Sequence, residues 1–271
     1  MQKEDRASEI IDLLLYTRDE QMSTHAEDLK FRLMTIELLR TAKRTKKPET
    51  GKPYTYRDLS AKTGLPVTVL SRYAKGHVLP NAERAQQLWR TLTKMVDLKS
   101  ELRRRIKFNS EGYFDNTDII GDYNILSQAA DHALAVFAGK RVTKVLSAAV
   151  DGIPLGTMVA NSLGVNLVIA KWSKEVGVPA FLEETYALKD SGVTMTLYLP
   201  KDAFKRRDSI LIVDDMIKTG DTQAALINLV KKARAEVSGV FSLIAVGEEW
   251  QKKMNISKDL VEVVIKINVA R

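Results

Sequence analysis

The 271-residue sequence has no cysteine, which excludes disulfides, thiolate metal sites and cysteine nucleophiles. It has only three histidines, His25, His77 and His132, too far apart in sequence to suggest a histidine-rich metal centre, and no metal ligands are assigned. It has no apolar run near the ~20 residues needed to span a bilayer, and its opening MQKEDRASEI lacks the apolar core of a secretory signal. No membrane partner is expected, and the chain reads as soluble and cytoplasmic. Its hydrophobic fraction of 45% is ordinary for a globular protein and rules out wholesale disorder. At roughly 150 residues per domain, the length suggests about two domains.

Charge is unevenly spread. Residues 1–112 hold 23 Lys and Arg against 15 Asp and Glu, whereas 113–271 hold 19 of each. Within the first part, 30–107 carries 20 basic and 6 acidic residues, a local excess of 14. A basic block beside a neutral one points to one domain that meets a polyanion and another with a different task. A solvated helical surface rich in Lys and Arg would carry the same charge.

Residues 1–110 read as a helical domain. Ile10, Ile11, Leu14 and Leu15 form one stripe, and Leu29, Leu33, Ile36 and Leu39 form a second at three-to-four spacing. One long helix is expected from Asn81 to about Phe108, its apolar positions Leu88, Leu92, Met95, Leu102 and Ile106 fitting either a short coiled-coil seam or packing on its own domain. Residues 111–271 change texture. Short β-branched runs at 142–150, 165–170, 193–200, 209–215, 237–247 and 260–267 alternate with helical patterns, which implies an α/β domain with a mostly parallel sheet. The alternating VTMTLYL at 193–199 looks different, like one arm of a projecting hairpin.

Thr55-Tyr-Arg-Asp58 has the form of a capping box and predicts a helix start. Leu59 faces the core, Gly64 supplies a tight turn, Leu65 plugs the core beneath it, and Pro66 suits the first turn of a second helix with Val69, Leu70 and Tyr73 turned inward. Over Arg57–Gly76 this resembles the helix–turn–helix of transcription regulators. The second helix would then present Val67, Thr68, Ser71, Arg72 and Lys75 to the major groove of double-stranded DNA. A homodimer is expected, because two-fold related copies double the contacts on a palindromic site.

The strongest signal is Ile210-Leu-Ile-Val-Asp-Asp-Met-Ile-Lys-Thr-Gly-Asp-Thr222. An apolar strand delivers two adjacent carboxylates, and a short loop then runs into a helix. Carboxylates at a strand end can accept hydrogen bonds from ribose hydroxyls, while loop amides and a helix N-terminus can cradle a phosphate. Such a pair alone could also hold Mg²⁺ or simply cap a helix. The run resembles the signature of the type I phosphoribosyltransferases, which bind phosphoribosyl pyrophosphate (PRPP). That resemblance implies a ribose-phosphate site at Asp214, Asp215, Lys218, Thr219, Gly220, Asp221 and Thr222, with Mg²⁺ accompanying PRPP. It implies a pyrophosphate side at Val150, Asp151 and Gly152, where these proteins place their pyrophosphate loop, and at Lys171 and Lys174 after the next strand.

Two features set the chain apart from the enzymes it resembles. The stretch 175–192, where orotate phosphoribosyltransferases carry a basic mobile loop, is apolar and acidic, and Lys218 stands where many enzymes have a small or hydroxyl residue. The joined plan is similar to archaeal regulators of the GfcR group and to the bacterial purine repressors, whose phosphoribosyltransferase-type domain binds PRPP without catalysis. That likeness implies a non-catalytic regulator of sugar or nucleotide metabolism that answers to PRPP or a related nucleotide. The alternative is an active orotate- or purine-type phosphoribosyltransferase with an appended helical domain. In the regulator, the long helix from Asn81 would carry the signal between the domains.

Overall fold

The computed structural model of the chain describes residues 28–45, 47, 49–108, 114–187 and 193–268. The stripe at Ile10–Leu15 therefore lies outside the described residues. The chain divides into two compact units, Met1–Asp97 and Leu98–Arg271, earlier than the change expected at residue 110.

In the first unit, α1 (28–44) is followed by α2 (Tyr56–Thr63), α3 (Val67–Ala74) and α4 (Ala82–Leu92). Ile36, Leu39, Leu59, Leu70, Leu88 and Leu92 are all buried in one core. Leu33, expected on the buried stripe of α1, is 54% exposed, and Leu38 is buried instead. The capping box is closed in both directions. The Asp58 amide donates to Thr55 Oγ1 at 3.2 Å, and Asp58 Oδ2 accepts from the Thr55 amide at 2.7 Å. Lys47 lies 2.7 Å from the same carboxylate and, together with Thr55, holds Asp58 well below the usual carboxylate range. Gly64 ends α2 in the left-handed region at φ 72°, where a side chain would be strained. Pro66 sits just before α3 rather than within its first turn. Side chains satisfy the carbonyls at the ends of both short helices: Gln87 Nε2 donates to Thr63 O at 3.0 Å and Arg40 Nε to Ala74 O at 2.7 Å.

The single long helix expected over Asn81–Phe108 is not formed. The helical path ends at Leu92, turns through Thr93–Asp97, and resumes as α5 (Leu98–Arg105) in the second unit. The apolar positions that suggested one seam belong to two cores. Leu88, Leu92 and Val96 pack in the first unit, and Leu102 packs against the sheet of the second. Once each stretch buries its own stripe, no driving force remains for a continuous helix.

The second unit continues through α6 (Thr117–Ile120), α7 (Tyr123–Phe137), β1 (Lys144–Ala148), α8 (Gly152–Leu163) and β2 (Asn166–Ala170). Then come β3 (Phe181–Ala187), β4 (Thr194–Pro200), β5 (Ser209–Ile217), α9 (Asp221–Lys232), β6 (Glu236–Val246), α10 (Trp250–Met254) and β7 (Val261–Ile267). Five strands form a parallel sheet in the order β2-β1-β5-β6-β7. Strand alternation divides the core into two layers. Leu211 and Val213 of β5 pack with Val145 and the helices α7 and α8, while Ile210 and Ile212 pack with Leu146 and α9. The run at 193–200 is indeed one arm of an antiparallel hairpin. Its partner β3 falls in the 175–192 stretch, where the resemblance implies a mobile loop and the sequence pattern predicts no strand.

The register of β5 on β6 slips between Ile210 and Leu211, which brings Gly239 opposite Leu211. A Cβ at Gly239 would stand 2.4 Å from the ring of the fully buried Phe137 and 3.0 Å from Leu260 O. Gly239→Ala should therefore destabilise the chain by ~1–3 kcal/mol in urea unfolding. Gly139→Ala, where nothing lies within 4 Å, should stay within about 0.5 kcal/mol of wild type. Equal midpoints for the two variants would contradict this packing.

Candidate functional site

From β1 the chain moves outward to β2, and from β5 it moves the opposite way to β6 and β7, so strand order reverses between β1 and β5. Loops leaving the carboxyl ends of two such strands diverge and leave a crevice, the usual ligand position in open α/β sheets. The loop after β1 carries Val150, Asp151 and Gly152, and β5 carries the Asp214–Asp215 pair two residues before its end at Ile217, where the 218–222 loop begins. Contact between the two segments is close. A Cβ on Gly152 would stand 2.6 Å from Asp214 Oδ1 and 2.5 Å from Ser147 Oγ, so only glycine fits the start of α8 here.

Asp214 and Asp215 are each 7% exposed, and each is held by an amide. Gln223 Nε2 donates to Asp214 Oδ2 at 2.6 Å, the Asp215 backbone N–H donates to Asp214 Oδ1 at 3.1 Å, and Asn116 Nδ2 donates to Asp215 Oδ2 at 2.5 Å. Burial pushes the Asp214 carboxyl well above its ordinary range, and the neighbouring Asp215 charge pushes the same way. Neither amide was assigned a role from the sequence. Gln223 lies one residue past the signature, on the buried side of α9, where a polar residue in an apolar stripe was the available clue. Asn116 lies 99 positions before Asp215, and no spacing connects them.

Beyond the acid pair, Gly220 takes φ 82° at the N-terminus of α9 and packs against Trp250, whose carbonyl would stand 2.9 Å from an added Cβ. Thr222 Oγ1 shares a hydrogen bond with Tyr186 OH at 3.1 Å, which ties the hairpin to the loop. The hairpin is further fixed by Asn228 Nδ2 donating to Glu184 Oε1 at 2.8 Å and by Lys232 at 2.6 Å from Glu184. Asp221 pairs with Lys253 of α10. Lys218 is exposed and, with Thr219, lines a cleft of about 210 Å³ whose other wall includes Val246, Gly247 and Lys253.

The residues expected on the pyrophosphate side are spread more widely. Val150 is 70% exposed and Asp151 is exposed, whereas Gly152 is buried against Asp214. Lys171 pairs with Glu175, and Lys174 lies 2.5 Å from Glu183 of the hairpin, so carboxylates of the chain engage both cations. Trp172 Nε1 donates to Ala149 O at 2.7 Å and ties the loop after β2 to the loop after β1. In the first unit, α3 turns Val67, Thr68 and Arg72 to solvent, with Ser71 half-buried beside them and Lys75 exposed just past the end of the helix. Among the described residues, no group of three His, Cys, Asp or Glu could hold a metal ion, and no helix is long and apolar enough to cross a membrane.

Comparison with known proteins places this architecture. The phosphoribosyl transferase domain model matches residues 90–270. The purine biosynthesis transcriptional repressor PurR of Bacillus subtilis is 32% identical over 133 residues, 49% of this chain and 47% of the repressor. The chain thus spans about half the length of that relative. Adenine phosphoribosyltransferase of Paracoccus denitrificans is 34% identical over 154 residues, 56% of this chain and 80% of the enzyme. The solved adenine phosphoribosyltransferase of Rhodothermus marinus superposes with a TM-score of 0.55 at 28% identity, covering 63% of this chain and 98% of that one. Regulators and enzymes thus both stand among the relatives, on one α/β fold with a parallel sheet. The family match spans more than half of the sequence and takes in the acid pair, its loop and every strand among the described residues, so the chain belongs to the phosphoribosyl transferase domain family.

Proposed function

We propose that the chain is a ligand-responsive, DNA-binding transcription regulator of the GfcR plan, controlling sugar or nucleotide metabolism and sensing PRPP or a related ribose phosphate. The observation that carries this reading is the union in one chain of a phosphoribosyl transferase domain with a separate helical unit whose residues 30–97 hold 15 basic and 5 acidic residues. In that unit, α2, the Gly64 turn and α3 act as a helix–turn–helix, and the open face of α3 meets the major groove of duplex DNA. A homodimer brings two copies of α3 to one operator. The match to a PurR repressor supports the same reading.

In the second unit, Asp214 and Asp215 accept the ribose hydroxyls. Thr219, Thr222 and the first amides of α9 receive the 5-phosphate, with Lys218 nearby as a cation and Asp221 held aside by Lys253. Val150, Asp151 and Gly152 lie on the pyrophosphate side. Mg²⁺ fits as a companion of PRPP rather than as a resident ion. Two carboxylates without a third protein ligand among the described residues leave most of its six oxygen positions to the pyrophosphate and water. The pairing of Lys171 with Glu175 and of Lys174 with Glu183 supports binding without turnover, because catalysis needs stabilised departure of pyrophosphate. A second reading, an adenine-type phosphoribosyltransferase, is favoured by the 34% identical relative. Product formation from PRPP with adenine, other purines or orotate would select it.

Arg72→Ala with Lys75→Ala should weaken duplex binding at least about tenfold in fluorescence anisotropy, and wild-type affinity should fall linearly with salt on a log–log plot. Salt-independent binding, or an unchanged double variant, would contradict the assignment of α3.

Asp214 also links function to stability. A carboxyl whose pKa is raised on folding contributes stability below its unfolded pKa and loses it as pH rises through the folded value. Asp214→Asn should therefore abolish calorimetric binding of ribose 5-phosphate and PRPP while removing the cost of burying the charge, so that its stability relative to wild type rises as pH goes from acid to neutral. A variant that still binds, with no such rise, would contradict the site.

A further inference from the structure

Asn116 occupies the residue position before α6, where an asparagine side chain ordinarily accepts a hydrogen bond from the first turn. Here it makes no such bond; Asp115 instead accepts from the Thr117 amide at 2.9 Å. The Asn116 carboxamide is turned away from its own helix to Asp215 Oδ2, 2.5 Å off. A cap worth ~1 kcal/mol to the helix is given up for a contact made across 99 residues of chain.

The backbone around Asn116 is tied to α5. Its carbonyl accepts from the Ile119 and Ile120 amides at 2.8 and 3.0 Å, and Ile119 is buried in the core of the sheet. Arg105 Nη1 donates to Asp118 O and pairs with Asp122, each at 2.7 Å, and its Nε lies 3.8 Å from Glu101, which is 2% exposed. Glu101 also pairs with Arg104 at 2.6 Å. A continuous run of polar contacts thus leads from the acid pair through α6 to α5, the helix that begins at Leu98, where the second unit begins.

We propose that Asn116 is a displaceable positioning residue: its carboxamide fills the Asp215 oxygen that a hydroxyl of a ribose-type vicinal diol takes on binding, so that the sugar releases α6 and loosens its hold on α5. This rests on the reading of Asp214 and Asp215 as the ribose site. Gln223 differs in kind. It is buried within α9, bonds the Met216 carbonyl as well at 3.4 Å, and stays in place.

The test uses the full chain and ribose 5-phosphate. Asn116→Ala removes the competing amide, and Asn116→Leu keeps its bulk without its donor. Both should bind ribose 5-phosphate about tenfold tighter than wild type in calorimetry, equivalent to ~1.4 kcal/mol for one hydrogen bond no longer displaced. A merely structural role would weaken binding or leave it alone. Hydrogen exchange supplies the second readout. In wild type, the sugar phosphate should speed exchange in 98–108 and 114–122, and the variants should show the faster exchange before any ligand is added. Equal or weaker affinity in both variants, or unchanged exchange in ligand-saturated wild type, overturns the proposal while leaving the site reading intact. No binding to wild type, even at millimolar ribose 5-phosphate or PRPP, overturns the site reading and this proposal together.

Discussion

Two adjacent carboxylates near the carboxyl end of β5, a buried strand of the parallel sheet, set the constraint around which the second unit is arranged. Adjacent carboxyl groups removed from water repel one another and lose hydration, a combination tolerated only where hydrogen-bond donors stand close. Here the donors come from three directions: Gln223 from the helix that follows, the Asp215 amide from the strand itself, and Asn116 from far upstream. Gly152 lets α8 start against Asp214, because any side chain there would collide with it. The reversal of strand order between β1 and β5 keeps the crevice above the pair open.

The same pair bears on how the proposed ligand would be received. In the proposed ribose reading, a hydroxyl takes the place of the Asn116 amide on Asp215 and leaves the pair satisfied. The two lysines expected on the pyrophosphate side are paired within the chain at its surface, Lys171 with Glu175 and Lys174 with Glu183. The hairpin that carries Glu183 is also tied to α9 through Asn228, Lys232 and Tyr186.

Much of this was legible in the sequence where a local pattern carries the physics. The Thr55–Asp58 capping box, the Gly64 turn and the inward Leu59, Leu70 and Tyr73 could be read because each depends on neighbours a few residues away. The β5 run could be read because the apolar stretch 209–213 leading into two adjacent acids and a Thr-Gly loop has few other uses, although the strand itself runs on through Met216 and Ile217. Where distant packing decides, the pattern misled or was silent. The 81–108 stripe looked continuous because helical period survives across the Thr93–Asp97 turn, although Leu92 and Leu102 answer to different cores. Strand β3 was missed because FLEETYA alternates weakly and gains its partner only through the hairpin. Asn116 had no local signal at all, since its significance is a contact 99 residues away.

If the acid pair governs the DNA-binding unit, the two sites must be thermodynamically linked, and linkage is reciprocal. The most direct measurement is therefore a closed cycle on the full chain: duplex affinity with and without saturating PRPP and Mg²⁺, and PRPP affinity with and without saturating duplex, using DNA selected from a random pool by the protein itself. A ligand-responsive regulator requires the same factor in both arms, within the ~5- to 150-fold range typical of such coupling. A factor of one in both arms, with both ligands bound, would contradict it.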